Sequence, residues 1–268
     1  MLKLPGSPGP VQVEVTPQMA GWRHLTFRVH ALQPGQALEG ETADEEAVLV
    51  LLEGAGDMRV GSLAGTVERR GVFRDLPRLA YVPRRTPWSF QAARPTELAW
   101  GSAPAERDFP ARILGPSDCP VEMRGGRNVT RQITHLADPG FCQRLLCVEV
   151  YTPSGNWSSY PPHKHDADRL PEEVDLDEVY YYRMPPDGWA VQRLYEADFD
   201  ELFLCRDRDT VVVRKGYHPV VAAPGFDVYY LNVLAGEHPL WITCDDPELA
   251  WVRGEWNSRE PLALPLRP

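Results

Sequence analysis

Apolar and polar side chains alternate with a period of two along much of this chain. In Leu25-Thr26-Phe27-Arg28-Val29-His30-Ala31 every second residue is apolar, as a strand with one buried face requires. Weaker versions cover residues 11–15, 47–52, 79–82 and 97–100, punctuated by turn residues at Gln33-Pro34-Gly35, Glu53-Gly54-Ala55-Gly56 and Arg70-Gly71. A second series covers 145–152, 179–182, 189–195, 201–204, 210–213 and 227–233. No strand alternates with a long helical pattern, so an all-β chain of two similar units is expected rather than an α/β fold. Only the acidic stretch 245–251 reads as a short helix, with Pro247 at an early position. The stretch 102–120, with four prolines among charged and small residues, separates the units, predicting domains at 1–112 and 113–268.

Composition agrees. The 268 residues include 27 Pro and 21 Gly, and proline at about twice its usual share disfavours long helices. The net charge of −10 repels phosphate backbones and anionic membranes, so neither nucleic acid nor membrane is an expected partner. An anionic small molecule would need a local cation. Five cysteines form an odd set without a C-x-x-C pair, which fits a reducing cytoplasm better than a disulfide framework. The N-terminus lacks the apolar stretch of a signal peptide. The longest apolar run, 47–52, is far shorter than the roughly twenty residues of a membrane helix.

The sharpest local signal is His163-Lys164-His165. In a strand these two imidazoles share a face, and Pro161-Pro162 stiffens the approach to them. Glu178 opens a later strand, and His218 follows Gly216 after the strand 211–213. Three imidazoles and a carboxylate suit a divalent metal ion, zinc or manganese first, with iron, cobalt and nickel also compatible.

The segment Asn156-Trp157-Ser158-Ser159-Tyr160-Pro161-Pro162-His163-Lys164-His165-Asp166, with Arg214-Lys215-Gly216-Tyr217-His218-Pro219 and Tyr229-Tyr230-Leu231-Asn232-Val233, resembles the 5-deoxy-glucuronate isomerases of myo-inositol catabolism. The resemblance spans nearly the whole chain, with specific motifs within 124–233, including Arg124-Gly125-Gly126 and Gln192-Arg193. It implies a bicupin, two double-stranded β-helix (jelly-roll) barrels. The second barrel would hold the metal through His163, His165, Glu178 and His218. The gap between His165 and Glu178 exceeds that of the general cupin pattern, leaving Asp177 and Glu173 as rivals. The first barrel would carry no metal: Gly40-Glu41-Thr42 stands about where its H-x-H would fall, and Tyr81-Val82-Pro83-Arg84-Arg85 resembles a second motif without its histidine.

The implied reaction is a metal-dependent aldose–ketose isomerisation of 5-deoxy-D-glucuronate to 2-deoxy-5-keto-D-gluconate. Glu178, Tyr182 and Tyr229 are the candidate catalytic residues, with Glu149 or a metal-bound hydroxide as alternative bases. Arg193 or Arg131 would hold the substrate carboxylate. Residues 166–177, six of them acidic, read as a solvated hairpin or a lid. Alternatives are a related uronate ketol-isomerase, an iron-dependent dioxygenase and a non-catalytic sugar-acid binder. A homo-oligomer formed through Val11–Val15 is a further expectation.

Overall fold

The computed structural model describes residues 2–257. It is built almost entirely of strands arranged in two barrels. The first is organised by the 16-residue strand Glu45–Val60. Residues 47–51 pair with Arg78–Val82 and with Thr96–Pro104, whereas residues 54–60 pair with Leu63–Arg69 and, from 56, with Thr86–Ala92. One strand therefore belongs to two walls. The corner falls at the register shift between Leu51 and Glu53, next to Gly54 at φ +115°, where a Cβ would meet Thr96 Oγ1 at 2.3 Å. Glu53-Gly54-Ala55-Gly56 is thus a bend inside a strand rather than the expected turn. Leu49, Leu51, Met58, Val60, Phe90 and Trp100 fill this barrel with apolar side chains.

The second barrel sets a seven-stranded sheet against a four-stranded one. The large sheet runs Leu2–Leu4, Thr210–Val213, Asp177–Arg183, Val228–Ala235, Leu145–Thr152, Arg131–Ala137, Val121–Arg124. The small one runs Trp157–Ser158, Val220–Ala222, Ala190–Glu196, Phe199–Cys205. Two features depart from the expected division at 112/113. Arg112–Leu114 pairs with Arg78–Val82 of the first barrel, and Leu2–Leu4 pairs with Thr210–Val213 of the second. The helical element also differs. Residues 244–245 bridge to another strand, and a 3₁₀ helix covers Ala250–Asn257. A four-residue helix at Pro17–Ala20, capped by the Thr16 side chain, carried no periodic signal. No helix among the described residues is long and apolar enough to cross a membrane.

The large sheet is buried on both faces. Val179, Tyr181, Tyr229, Leu231 and Val233 join Phe27, Val29, Val50 and Tyr81 in one core at the seam between the barrels. Their strand neighbours Tyr180, Tyr182, Val228 and Tyr230 face the interior of the second barrel. Four carboxylates tie the seam. Glu149 meets Arg69 in a two-pronged ion pair at 2.6 and 2.9 Å, with both side chains 0% exposed. Glu46 accepts from the Gln143, Arg144 and Leu145 amides and from the Tyr81 hydroxyl. Glu97 accepts from Tyr181, Arg183 and Arg208, and Asp177 from the His24 and Leu25 amides.

Removing one member of a buried pair strands the other. Glu149→Leu is expected to destabilise the fold by about 3–5 kcal/mol, with Arg69→Met/Glu149→Leu recovering most of the loss. Urea midpoints read this, and a single-variant loss below about 1 kcal/mol would contradict it.

Candidate metal centre and substrate cavity

Alternation along Asp177–Arg183 points Glu178, Tyr180 and Tyr182 into the second barrel. Glu178 lies opposite Val213, and the chain leaves that strand through Gly216 at φ +87° to place His218 beside it. At Gly216 a Cβ would sit 2.7 Å from the Tyr195 carbonyl oxygen, so both the turn and the close approach require glycine. His163 and Lys164 pair with Asp245 and Cys244, which fixes the histidine segment across the barrel end.

The ligand atoms of His165, Glu178 and His218 lie within 4.8 Å of one another, and all three residues are buried. His165 Nε2 is 3.0 Å and His218 Nε2 is 3.4 Å from the same oxygen, Glu178 Oε2. His163 stands beside this triad, its ring centroid 4.9 Å from that of His218 and 6.5 Å from that of His165. Each imidazole has Nδ1 against a backbone carbonyl: Pro161 at 3.2 Å, Leu176 at 3.1 Å and Gly216 at 2.8 Å. A carbonyl only accepts, so Nδ1 carries the proton; in neutral His163 and His218 this leaves Nε2 its lone pair, whereas Nε2 of His165 faces the Glu178 carboxylate. His218 Nε2 is buried without a hydrogen-bond partner. Burial holds His163 and His218 down at about 3, neutral and able to ligate at neutral pH. Burial also opposes charge on His165, but the hydrogen bond and charge of Glu178 outweigh it and raise its pKa. An orphaned imidazole nitrogen, a second imidazole and a buried carboxylate make a donor set that fits a divalent metal ion.

A cavity of about 280 Å³ opens beside these residues. Its walls include Tyr180, Tyr230 and Asn232, and Ser159 Oγ lies 3.0 Å from the Tyr180 hydroxyl and 3.5 Å from that of Tyr230. Arg131 reaches in from the strand Arg131–Ala137. It is 4% exposed, donates Nη1 to the Val129 carbonyl at 2.9 Å, and meets no carboxylate among the described residues. Burial pushes it down to about 10, so it remains charged at neutral pH.

His163, His165, Glu178 and Arg131 line this cavity, and His218 adjoins it within the ligand cluster. Four expected participants are elsewhere. Tyr229 faces the seam, where its hydroxyl donates to Glu149 at 2.8 Å; Glu149, neutralised by Arg69, is likewise removed as a base. Tyr182 shares the inward face but lies in the apolar core, donating to Gln192 Oε1 at 2.8 Å. Arg193 lies outside the cavity, paired with Asp200 at 2.8 Å and stacked on Tyr195 at 3.9 Å. The rival ligands are also engaged, Asp177 with the first barrel and Glu173 with Arg169. The acidic hairpin pairs Asp166–Arg169 with Glu173–Asp175 and borders a separate cleft against residues 21–24. Tyr230, Asn232 and Ser159 stand within the quoted motifs; strand register, not residue type, separates Tyr230 from Tyr229.

Two β-barrels joined by a shared seam, one carrying an inward His/His/Glu cluster, define a bicupin with one candidate metal centre. The chain belongs to the KduI/IolB family, whose sequence profile matches residues 3–252. It is 46% identical over 247 residues to a 5-deoxy-glucuronate isomerase of Geobacillus thermodenitrificans, covering 90% of each chain. Identity to that of Bacillus subtilis is 35% over 250 residues, covering 89% of this chain and 91% of the relative. The crystal structure of an IolB-like protein from Salmonella typhimurium LT2 matches with a TM-score of 0.88 at 34% identity, over 94% of this chain and 99% of that one. An oxalate decarboxylase of Lactobacillus farciminis shares the fold, at 12% identity and a TM-score of 0.63 over 91% of this chain and 88% of that one.

His165→Ala and His218→Ala are each expected to lose metal retained by the parent, whereas Tyr229→Phe keeps it. Metal analysis of purified, zinc- or manganese-loaded protein reads this; full occupancy in His218→Ala would refute the centre.

Proposed function

We propose that this chain interconverts 5-deoxy-D-glucuronate and 2-deoxy-5-keto-D-gluconate, an aldose–ketose isomerisation in myo-inositol breakdown. The carrying observation is that Arg131, a buried cation that meets no carboxylate among the described residues, shares one small cavity with the candidate metal centre. A sugar acid presents two matching ends, a carboxylate for the guanidinium and a carbonyl with its adjacent hydroxyl for the metal. The names of the relatives agree with this chemistry.

The isomerisation moves a proton from the carbinol carbon to the neighbouring aldehyde carbon while the hydroxyl proton passes to the former aldehyde oxygen. A bound divalent cation, zinc or manganese in this reading, would stabilise the negative charge that develops on the two oxygens. The chain's own groups do the rest. Arg131 anchors the carboxylate and so fixes which carbons face the centre. Burial raises the pKa of Tyr180 and of Tyr230, so both phenols stay protonated and can donate to substrate oxygens, linked through Ser159. Glu178 is the sole carboxylate among the described lining residues, which makes it the proton acceptor of this reading as well as a ligand. Its five free cysteines fit a reducing compartment, and we place the protein in the cytoplasm.

Metal-loaded protein mixed with 5-deoxy-glucuronate should yield the ketose by NMR; no product with zinc, manganese, iron, cobalt or nickel would overturn the assignment. Arg131→Met should keep its metal yet lower kcat/KM by about 10–100-fold, the scale of one lost charge-assisted contact. A smaller loss would remove Arg131 from this role.

A further inference from the structure

The segment that follows the second barrel is fastened to the histidine strand. Cys244–Asp245 pairs with His163–Lys164, the Asp246 amide donates to the Pro162 carbonyl at 2.8 Å, and the Tyr195 hydroxyl donates to the Asp246 carboxylate. From there Ala250–Asn257 contributes Arg253 and Trp256 to the wall of the cavity. Its seat is Arg124-Gly125-Gly126. A Cβ on Gly126 would lie 2.1 Å from the Trp256 carbonyl oxygen, and Gly125, at φ +85°, makes the turn that brings the two backbones together.

Trp256 stands between two guanidinium groups, each 4.9 Å from its ring: Arg131 from inside the cavity and Arg253, which is paired with Asp245. The indole Nε1 is buried and has no hydrogen-bond partner among the described residues. The ring is therefore oriented by cations and by its backbone seat, and not by a hydrogen bond of its own. For Arg131 the converse holds. One N–H is tied to Val129, one face rests on Trp256, and the remaining donors meet no acceptor among the described residues. Trp256 also lies beyond residues 3–252, the span matched by the family profile.

We propose that Trp256 is a positioning residue that holds the Arg131 guanidinium toward the substrate carboxylate, making Ala250–Asn257 a specificity-determining wall of the site. The inference rests on the isomerase reading for its substrate, but its chemistry requires only that the ligand be a sugar acid. With Trp256 in place Arg131 presents its fork in one orientation. Without it, a long flexible side chain must be ordered by the ligand itself, which weakens binding of acids and leaves neutral sugars unaffected.

The test uses metal-loaded full-length protein, 5-deoxy-D-glucuronate as substrate, and D-glucuronate and D-glucose as charged and neutral competitors. Trp256→Ala is expected to raise KM by about tenfold with kcat within about threefold, and to erase a similar share of the preference for D-glucuronate over D-glucose. Trp256→Phe, which keeps an aromatic face, should restore most of both, and metal content should stay at the parent level throughout. Unchanged KM and preference in Trp256→Ala, or Trp256→Phe no better than Trp256→Ala, would overturn the proposal. A purely structural role would lower kcat and metal content without moving the preference, which also counts against it. If the parent does not isomerise the substrate, the functional reading fails, and calorimetric binding of D-glucuronate by parent and variants decides this proposal separately. The same loss in Trp256→Ala supports it; an equal affinity, or none in the parent, refutes it.

Discussion

A sheet buried on both faces governs everything else in this molecule. Along Val228–Ala235 and Leu145–Thr152, adjacent residues serve different ends: Tyr229 and Glu149 join the barrels, whereas Tyr230 and Val150 enclose the cavity. Because side chains alternate strictly, the seam and the site share one backbone register, and a slip of one residue would exchange them. The pairing of Glu149 with Arg69 and Tyr229 fixes that register from the seam side. The candidate ligand cluster is thus held in place from behind, by contacts that never touch it.

The same parity explains what could be read from the sequence. H-x-H, Glu178 and His218 were legible because residue chemistry alone marks them, and the strand rhythm was legible from alternation. Tyr229 and Glu149 misled because a sheet with two buried faces is apolar and aromatic on both, so alternation no longer distinguishes inside from outside. Glu53-Gly54-Ala55-Gly56 reads as a turn by composition, yet its glycines serve a bend within one strand. Arg193 stands within a family-like motif and offers a two-pronged fork, but it lies on an open sheet face beside Asp200. Arg131 and Trp256 come together across more than a hundred residues, and no local pattern reports such a contact.

Two buried arginines show how one residue type serves structure or recognition. Arg69 finds a carboxylate, a phenol and two carbonyls, and the charge of Glu149 outweighs the cost of burial and raises its pKa. Arg131 finds one carbonyl and an indole face, and burial lowers its pKa. The first charge is neutralised within the chain, whereas the second meets no carboxylate among the described residues. In a protein of net charge −10, a cation with no counter-charge among the described residues is what the proposed binding of an anion requires, because the overall field opposes it.

The strand Leu2–Leu4 has a temporal consequence. Its partner, Thr210–Val213, lies roughly 200 residues further along the chain. At 5–20 residues per second, the ribosome takes about 10–40 s to make the intervening chain. The first barrel can close during that interval, while residues 2–4 wait outside it with their backbone groups hydrated. The sheet behind the candidate metal centre gains this edge only when residues 2–4 meet a segment made roughly 200 residues later.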